Sequence, residues 1–362
     1  MVRLIHAADF HLDSPFSGLD PEQAIRRRAE QRELLGRLAE LARDRNADLV
    51  LLAGDLFDAE RVFQETAKAL AQHLESIPCP VLIAPGNHDF YSGRSPYATL
   101  RWPENVHIFT SGQLEGVSLP QLNCTVYGAA FTAPRQDSTP LHGFQAQGDG
   151  MHLMVLHGQT GALNEYGPIA LQDIQNSGLT YLALGHVHQY SGLNREGGTF
   201  WAYPGCPEGR GFDELGDKGV LYIEAEPENC RAQFVPLAKR RYQIFDIDVT
   251  GAENVLQAIE AQLPAGTQED ICRLRLTGER GLGRLDLEDF GKKLAGRFYG
   301  VQLRDHTRLA QDLWARLEED SLTGLFLQEM DRRRRQDPDS GLVELAVRFG
   351  LAALERGEDA AP

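Results

Sequence analysis

Asp9 and His11 lie two residues apart behind the apolar run LIHAA, and four more stretches place donor side chains behind apolar runs. Asp55 follows LVLLAG, Asn87 and His88 follow VLIAPG, His157 closes LMVLH, and His186 and His188 follow LALG. A buried strand delivers side chains to a sheet edge, where loops aim them at one point. Edges carrying Asp, His and Asn in this way describe a two-metal site. Residues two apart on an extended strand end project to the same side, which serves Asp9 with His11 and His186 with His188 around Val187. Imidazole beside carboxylate suits manganese, iron or zinc and suits magnesium or calcium poorly. Asp55, in GDLFD, can bridge two cations through its separate oxygens, and Asn87 adds a neutral carbonyl oxygen. Gly54, Gly86 and Gly185 precede donors, where glycine permits close backbone approach.

Such a centre lowers the pKa of water and clamps phosphoryl oxygens during in-line attack. A leaving alkoxide needs a proton, which a histidine supplies near neutral pH. His88 is the motif histidine that adjoins a donor yet faces elsewhere, so it is free for that work. Asp89 beside it is expected to accept from an imidazole N–H. His6, His73, His107, His142, His152 and His306 have no motif partners and are expected at surface or satisfied core positions. His6, on the first strand, lies nearest the donors.

The elements that must position these groups follow from periodicity. Strands are expected at Arg3–Ala8, Asp48–Ala53, Val81–Ala84, Val106–Phe109, Thr125–Ala130, His152–Leu156, Tyr181–Leu184, Thr199–Ala202, Val220–Glu224 and Ala232–Pro236, with helices over Pro21–Arg45 and Phe63–Ile77. Early strands joined by helices should be parallel, and later ones joined by loops should be antiparallel. That pattern implies an α/β fold of two stacked mixed sheets flanked by helices over residues 1–239. Residues 240–305 read as a small β-α-β-α-β domain punctuated by Pro264, Gly266, Gly281 and Gly283, and residues 306–362 as a helical tail ending in a polar, frayed GEDAAP. In the tail Leu309, Leu313 and Leu317, then Leu322, Leu325 and Phe326, then Leu342, Leu345 and Phe349 lie at helical spacing.

The ordered set DxH, GDLFD, GNHD, HG and GHVH resembles the calcineurin-like metallophosphoesterases. The opening IHAADFHLDSPF and the stretch YPGCPEGRGFDE resemble the SbcD-type DNA repair exonucleases within that superfamily, and most of all their YhaO-like branch. The resemblance spans roughly the first two thirds of the chain at motif level. It implies one metal held by Asp9, His11, Asp55 and His188 and a second by Asp55, Asn87, His157 and His186, with His88 as the catalytic residue. Manganese is the expected metal. In the archaeal and eukaryotic nuclease relatives a histidine stands where Asp58 stands here, so one transition-state donor is absent. Asp58 and Asp89 are then expected to support the ligands, and Arg210 to meet a substrate phosphate. The resemblance further implies a DNA nuclease of two-metal type, 240–305 as a DNA-contacting cap, a homodimer, and an SMC-like coiled-coil ATPase docked on the tail.

Composition restrains this picture. The chain has 362 residues, 42% hydrophobic, with five scattered cysteines and no CxxC pair, which argues against a disulfide frame and a thiolate zinc site. No apolar stretch is long enough to span a bilayer, and MVRLIHAADFHLD runs directly into a strand bearing chemistry, so a cytoplasmic location is expected. A net charge of −16 gives no general field for nucleic acid. DNA would need a local basic surface, a partner subunit, or the metals themselves. The charge favours a competing reading, a metallophosphoesterase of small phosphodiesters or phosphomonoesters, while the appended segments disfavour it. A third reading, a scaffold with a structural metal site, is opposed by the complete donor set and His88. Arg332, Arg333, Arg334 and Arg335 read as a solvated helix face, or as a DNA or partner contact. Tyr91, Tyr97 and Trp102 read as loop packing, or as a platform for a base.

Overall fold

The apolar runs fold as strands covered on both faces. The computed structural model describes residues 1–59, 62–161, 166–280, 285–309, 313–336 and 340–356. Gly281, Gly283 and the terminal GEDAAP lie outside the described residues. Strands β1 (Val2–Ala7), β2 (Leu49–Leu52), β3 (Val81–Ile83) and β4 (Val106–Ile108) run parallel in one sheet. A second sheet takes β5 (Glu115–Leu119), β6 (Cys124–Gly128), β7 (Met151–His157), β8 (Tyr181–Gly185), β9 (Asn194–Glu196) and β10 (Thr199–Ala202). The chain then returns through β11 (Gly219–Glu226) and β12 (Asn229–Pro236) to the first. The orders are β12-β11-β1-β2-β3-β4 and β5-β6-β7-β8-β10-β9.

Alternating registers explain why the strands read as unbroken apolar runs. Ile5, Ala7, Val50, Leu52, Val81 and Ile83 pack toward helices α1 (Pro21–Asp44) and α2 (Gln64–Glu75). Leu4, Leu49, Leu51 and Leu82 pack with Leu153, Val155 and Ala183 of the second sheet. The other face of that sheet packs Met154, Leu156, Leu182 and Leu184 with Ile174. Asp20 caps α1 by accepting from Gln23 N at 2.9 Å, and Pro21 opens its first turn. The fold is thus α/β, two mixed six-stranded sheets flanked by helices.

The later strands differ from expectation. β6, β7, β8 and β10 are parallel neighbours, and only β5, β9, β11 and β12 join antiparallel. The connection between β6 and β7 is long enough to cross over without a helix, so a loop there does not imply a hairpin. Periodicity does not reveal β5 and β9, which are partly exposed edge strands, nor the short helices α3 (Pro96–Thr99) and α4 (Leu171–Asn176).

Beyond Arg240 come β13 (Tyr242–Asp248), α5 (Val255–Gln262), β14 (Ile271–Thr277), β15 (Glu279–Arg280), α6 (Leu287–Leu294), β16 (Gly300–Asp305) and β17 (Arg308–Leu309). They form a β13-β14-β16 sheet and a β15-β17 pair. The helical reading of 306–362 therefore starts too early. Arg308 N donates to Gly278 O at 2.9 Å, and this pairing overrides the leucine spacing. Helices α7 (Leu322–Arg334) and α8 (Ser340–Arg356) follow. By compactness the chain divides into one unit of Met1–Phe245, Pro264–Leu274 and Gly291–Gln302, and another of Asp246–Leu263, Arg275–Phe290 and Leu303–Pro362. All five cysteines are buried and free. Among the described residues no helix is long and apolar enough to cross a membrane.

Candidate metal centre

The seven expected donors stand at or just beyond the C-terminal ends of parallel strands. Asp9 and His11 follow β1, Asp55 follows β2, Asn87 follows β3, His157 ends β7, and His186 with His188 follow β8. Their side chains converge. His11 Nε2 lies 3.1 Å from His188 Nε2 and 3.7 Å from Asp55 Oδ2, and His188 Nε2 lies 3.8 Å from Asp9 Oδ1. On the other side His157 Nε2 lies 2.9 Å from Asn87 Oδ1 and 3.4 Å from Asp55 Oδ2, with His186 Nδ1 3.2 Å from Asn87 Oδ1. Two nests of donors therefore share one oxygen of Asp55.

The contacts made by His11, His157 and His188 are not ordinary hydrogen bonds. His157 Nδ1 donates to Ala53 O at 2.9 Å, and His11 Nδ1 faces Asp58 Oδ1 at 3.1 Å, so each presents a bare Nε2 lone pair inward. His188 Nδ1 likewise faces Glu214 Oε1 at 2.7 Å. Burial lowers the His11 and His157 imidazoles to about 4 and His186 to about 3, which keeps them neutral. Facing lone pairs repel unless a cation lies between them. Two donors each about 2.1 Å from one octahedral ion are themselves about 3 Å apart, which matches the His11–His188 separation. Asp9 and Asp55 are fully buried, and among the described residues only histidines lie within ion-pair distance of them. Burial and the neighbouring Asp55 push the Asp9 carboxyl well above the usual range, the mark of an anion lacking a counter-charge. The donor set fits two divalent ions.

The backbone is bent to achieve this. Asp9, His11, Asp55 and His186 have φ of 55°, 45°, 50° and 106°, a region L-residues seldom enter. Asp9 N donates to Gly54 O at 3.0 Å and His11 N to Asp55 O at 2.9 Å, so the two loops hold one another. Gly86 packs against Asp55, and a Cβ there would collide with its backbone nitrogen and carboxylate. At Gly185 the collision would be with Ala53 O.

The family model for the calcineurin-like phosphoesterases matches residues 2–190, which contain all seven donors. The chain belongs to that family. Calcineurin-like phosphoesterases depend on a dinuclear metal centre, and the clusters Asp9/His11/His188 and Asp9/Asp55/His157 supply such ligands here. The chain is 31% identical to the uncharacterized metallophosphoesterase YhaO of Bacillus subtilis, over 78% of this chain and 71% of that one. It is 24% identical to the DNA double-strand break repair protein Mre11 of Aeropyrum pernix, over 73% and 68% of the two chains. With a subunit of the nuclease SbcCD of Bacillus subtilis it shares 22% identity over 62% and 67%.

Around this phosphoesterase centre the remaining expected residues take distinct places. His88 is exposed at the rim; its backbone N donates to Asp55 Oδ1 at 2.9 Å and its Nδ1 lies 3.2 Å from Asp58 O. Asp58 faces His11, with Oδ1 3.1 Å from Nδ1. Asp89 does not face the His88 ring. It turns inward and accepts from Leu56 N, Phe57 N and Gly86 N at 2.7, 3.1 and 2.8 Å, and from Tyr97 Oη at 2.5 Å. Buried backbone donors left by the bent loops claim it first. Tyr97 is buried and stacks on Trp102, so this pair packs the loop. Arg210 is half-buried, with Nη1 3.1 Å from Asp58 Oδ1 and Nη2 2.7 Å from Glu214 Oε1. His6 is buried between Tyr181 Oη at 2.9 Å and Leu184 O at 3.1 Å, a satisfied core position.

Sequence reasoning misses Glu214, although it closes the YPGCPEGRGFDE stretch, because no spacing to another donor marks a role for it. Burial alone would raise its carboxyl, yet bonds from His188 and Arg210 hold it well below the usual range. It misses Gln31 too. From α1 the Gln31 Nε2 donates to Phe10 O and His11 O at 2.9 and 3.0 Å, bracing the Asp9–His11 loop from behind. The arginine run at the end of α7 is partly offset locally, with Arg332 and Arg333 on Glu329 and Arg334 and Arg335 on Asp331.

Proposed function

We propose that the protein is a DNA nuclease of dinuclear type, hydrolysing phosphodiester bonds with manganese as the native metal, in cytoplasmic DNA repair. Asp9, His11, Asp55 and His188 would hold one ion, and Asp55, Asn87, His157 and His186 the other. When bound, the pair lowers the pKa of water and neutralises phosphoryl oxygens. The chain's own part is positioning and proton supply. His88 is tied to the centre through its backbone bond to Asp55, and its Nδ1–H donates to Asp58 O. Its Nε2 is thus left outward, where it can carry a proton to the leaving oxygen. The observation carrying this reading is the pair of facing imidazole lone pairs beside a shared carboxylate, with an exposed histidine at the rim. The DNA substrate is supported by relatives whose names describe double-strand break repair and a nuclease. That the nuclease relative is named as one subunit of an assembly supports a protein partner; we take it to be an SMC-like ATPase on α7 and α8, and include a homodimer with 240–305 as the cap in the same reading.

The net charge of −16 favours a second substrate class, a small phosphodiester or phosphomonoester. Manganese-loaded protein is expected to degrade linear duplex DNA. His88→Ala should lower that rate by about 100-fold or more while two manganese ions per chain remain. Cleavage of bis-p-nitrophenyl phosphate without DNA cleavage, even with the ATPase present, would move the assignment to small esters. Metal-loaded wild type that is inert on every phosphoester would defeat both.

A further inference from the structure

A polar strap runs along one edge of the centre, and the proposed hydrolysis uses only its two ends. His11 Nδ1 lies 3.1 Å from Asp58 Oδ1, and Arg210 Nη1 lies 3.1 Å from that same oxygen. Arg210 Nη2 lies 2.7 Å from Glu214 Oε1, which in turn lies 2.7 Å from His188 Nδ1. An ionised carboxylate only accepts, so each imidazole must donate its Nδ1 proton and turn its Nε2 lone pair inward. Arg210 Nη2 also lies 3.1 Å from His188 Nδ1, but a guanidinium has no lone pair to offer, so the shorter Glu214 contact takes the proton.

The guanidinium occupies the middle of this sequence. One planar fork fixes two carboxylates at once, which an ammonium cannot do. Arg210 N closes the same loop by donating to Glu214 Oε2 at 2.8 Å. The loop is anchored from α1, where the fully buried Arg27 donates to Gly209 O at 3.1 Å and pairs with Glu208. Every donor group of Arg210 is therefore turned toward the strap: Nε and Nη2 toward Glu214 and Nη1 toward Asp58.

We propose that Arg210 and Glu214 are positioning residues that act with Asp58 to set the tautomer and aim of His11 and His188, and through them the affinity of that half of the centre. Resting on the dinuclear reading, this gives Arg210 a role behind the ligands in place of the substrate contact that its position in the sequence suggested.

Manganese titration followed by electron paramagnetic resonance, with Michaelis constants on bis-p-nitrophenyl phosphate, separates the possibilities. Glu214→Ala and Arg210→Lys should each leave one ion bound as in wild type and weaken the other by about 10- to 100-fold. Glu214→Gln, which keeps an acceptor oxygen for His188, should recover most of the loss. Two ions bound with wild-type affinity in both variants would overturn the proposal, whether or not KM rises. So would equal weakening of both ions together with a lowered unfolding temperature of the metal-free protein, which would mark a structural role alone. Should Glu214→Ala not fold, Arg210→Lys at its half-buried position decides by the same criteria. Wild type that takes up no manganese would instead defeat the dinuclear reading and so remove the proposal's premise.

Discussion

Four of the seven donors occupy left-handed backbone, at about 1–3 kcal/mol each when unsupported. The motif residues were legible because their types and order are chemical requirements. Their conformations were not, since those are imposed by the reciprocal bonds of the loops after β1 and β2. Glu214 was illegible for a related reason: its role depends on a histidine 26 positions away. His6 shows the opposite outcome, a histidine near the donors that does no chemistry. Burial pushes its imidazole down to about 3 from an ordinary 6.5, so the folded protein keeps it neutral. The stability this contributes is fully present above pH 6.5 and is lost as pH falls from there toward about 3, because the unfolded chain takes the proton first. The slope is at most about 1.4 kcal/mol per pH unit. Urea unfolding of metal-free protein at about pH 4.5 and 6.5 should therefore show His6→Leu losing about 2 kcal/mol less over the interval than wild type. Equal losses would mean that His6 takes up its proton without unfolding.

At the scale of elements, strand ends were the informative feature, since parallel strands bury both faces and stop where the loops begin. Edge strands were opaque: β5 and β9 are half-exposed and polar, and their pairing depends on partners that periodicity alone does not identify. The element that most needs explanation is the junction of the loops after β2 and β3, which carry Asp55, Asn87 and His88. Asp89 binds both, through Leu56 N and Phe57 N on one side and Gly86 N on the other. Asp89→Ala leaves three buried N–H groups unpaired at about 1–3 kcal/mol each, so a loss of roughly 3–9 kcal/mol is expected in urea unfolding. Manganese uptake should fall as well, because Asp55 and Asn87 would no longer be held together. A loss below about 1 kcal/mol would show that water replaces the carboxylate.

For the whole molecule the proposed DNA substrate poses the question of how an acidic chain would hold a polyanion. The four arginines at the end of α7 share two acids of that helix, Glu329 and Asp331, so only half of their charge is offset there. Helix α8 is apolar on two sides. Val343 and Val347 are buried and Leu351 packs partly against the Leu313/Leu327/Val347 cluster, whereas Leu342, Leu345 and Phe349 are 67%, 49% and 48% exposed. On α7, Leu322 and Leu325 are 70% and 62% exposed. The exposed triplet recurs at the spacing of a single helical stripe, and such a stripe marks an interaction surface. If an ATPase covers it and brings the basic DNA surface, the two activities separate by mutation. Leu342→Glu with Leu345→Glu should abolish co-elution with the SMC-like ATPase and the DNA degradation that depends on it. Manganese content and hydrolysis of bis-p-nitrophenyl phosphate should stay as in wild type, since the substituted side chains face away from the tail's own buried cluster. Undiminished co-elution would move the partner to another surface, and loss of small-ester hydrolysis would tie the stripe to folding of the chain itself.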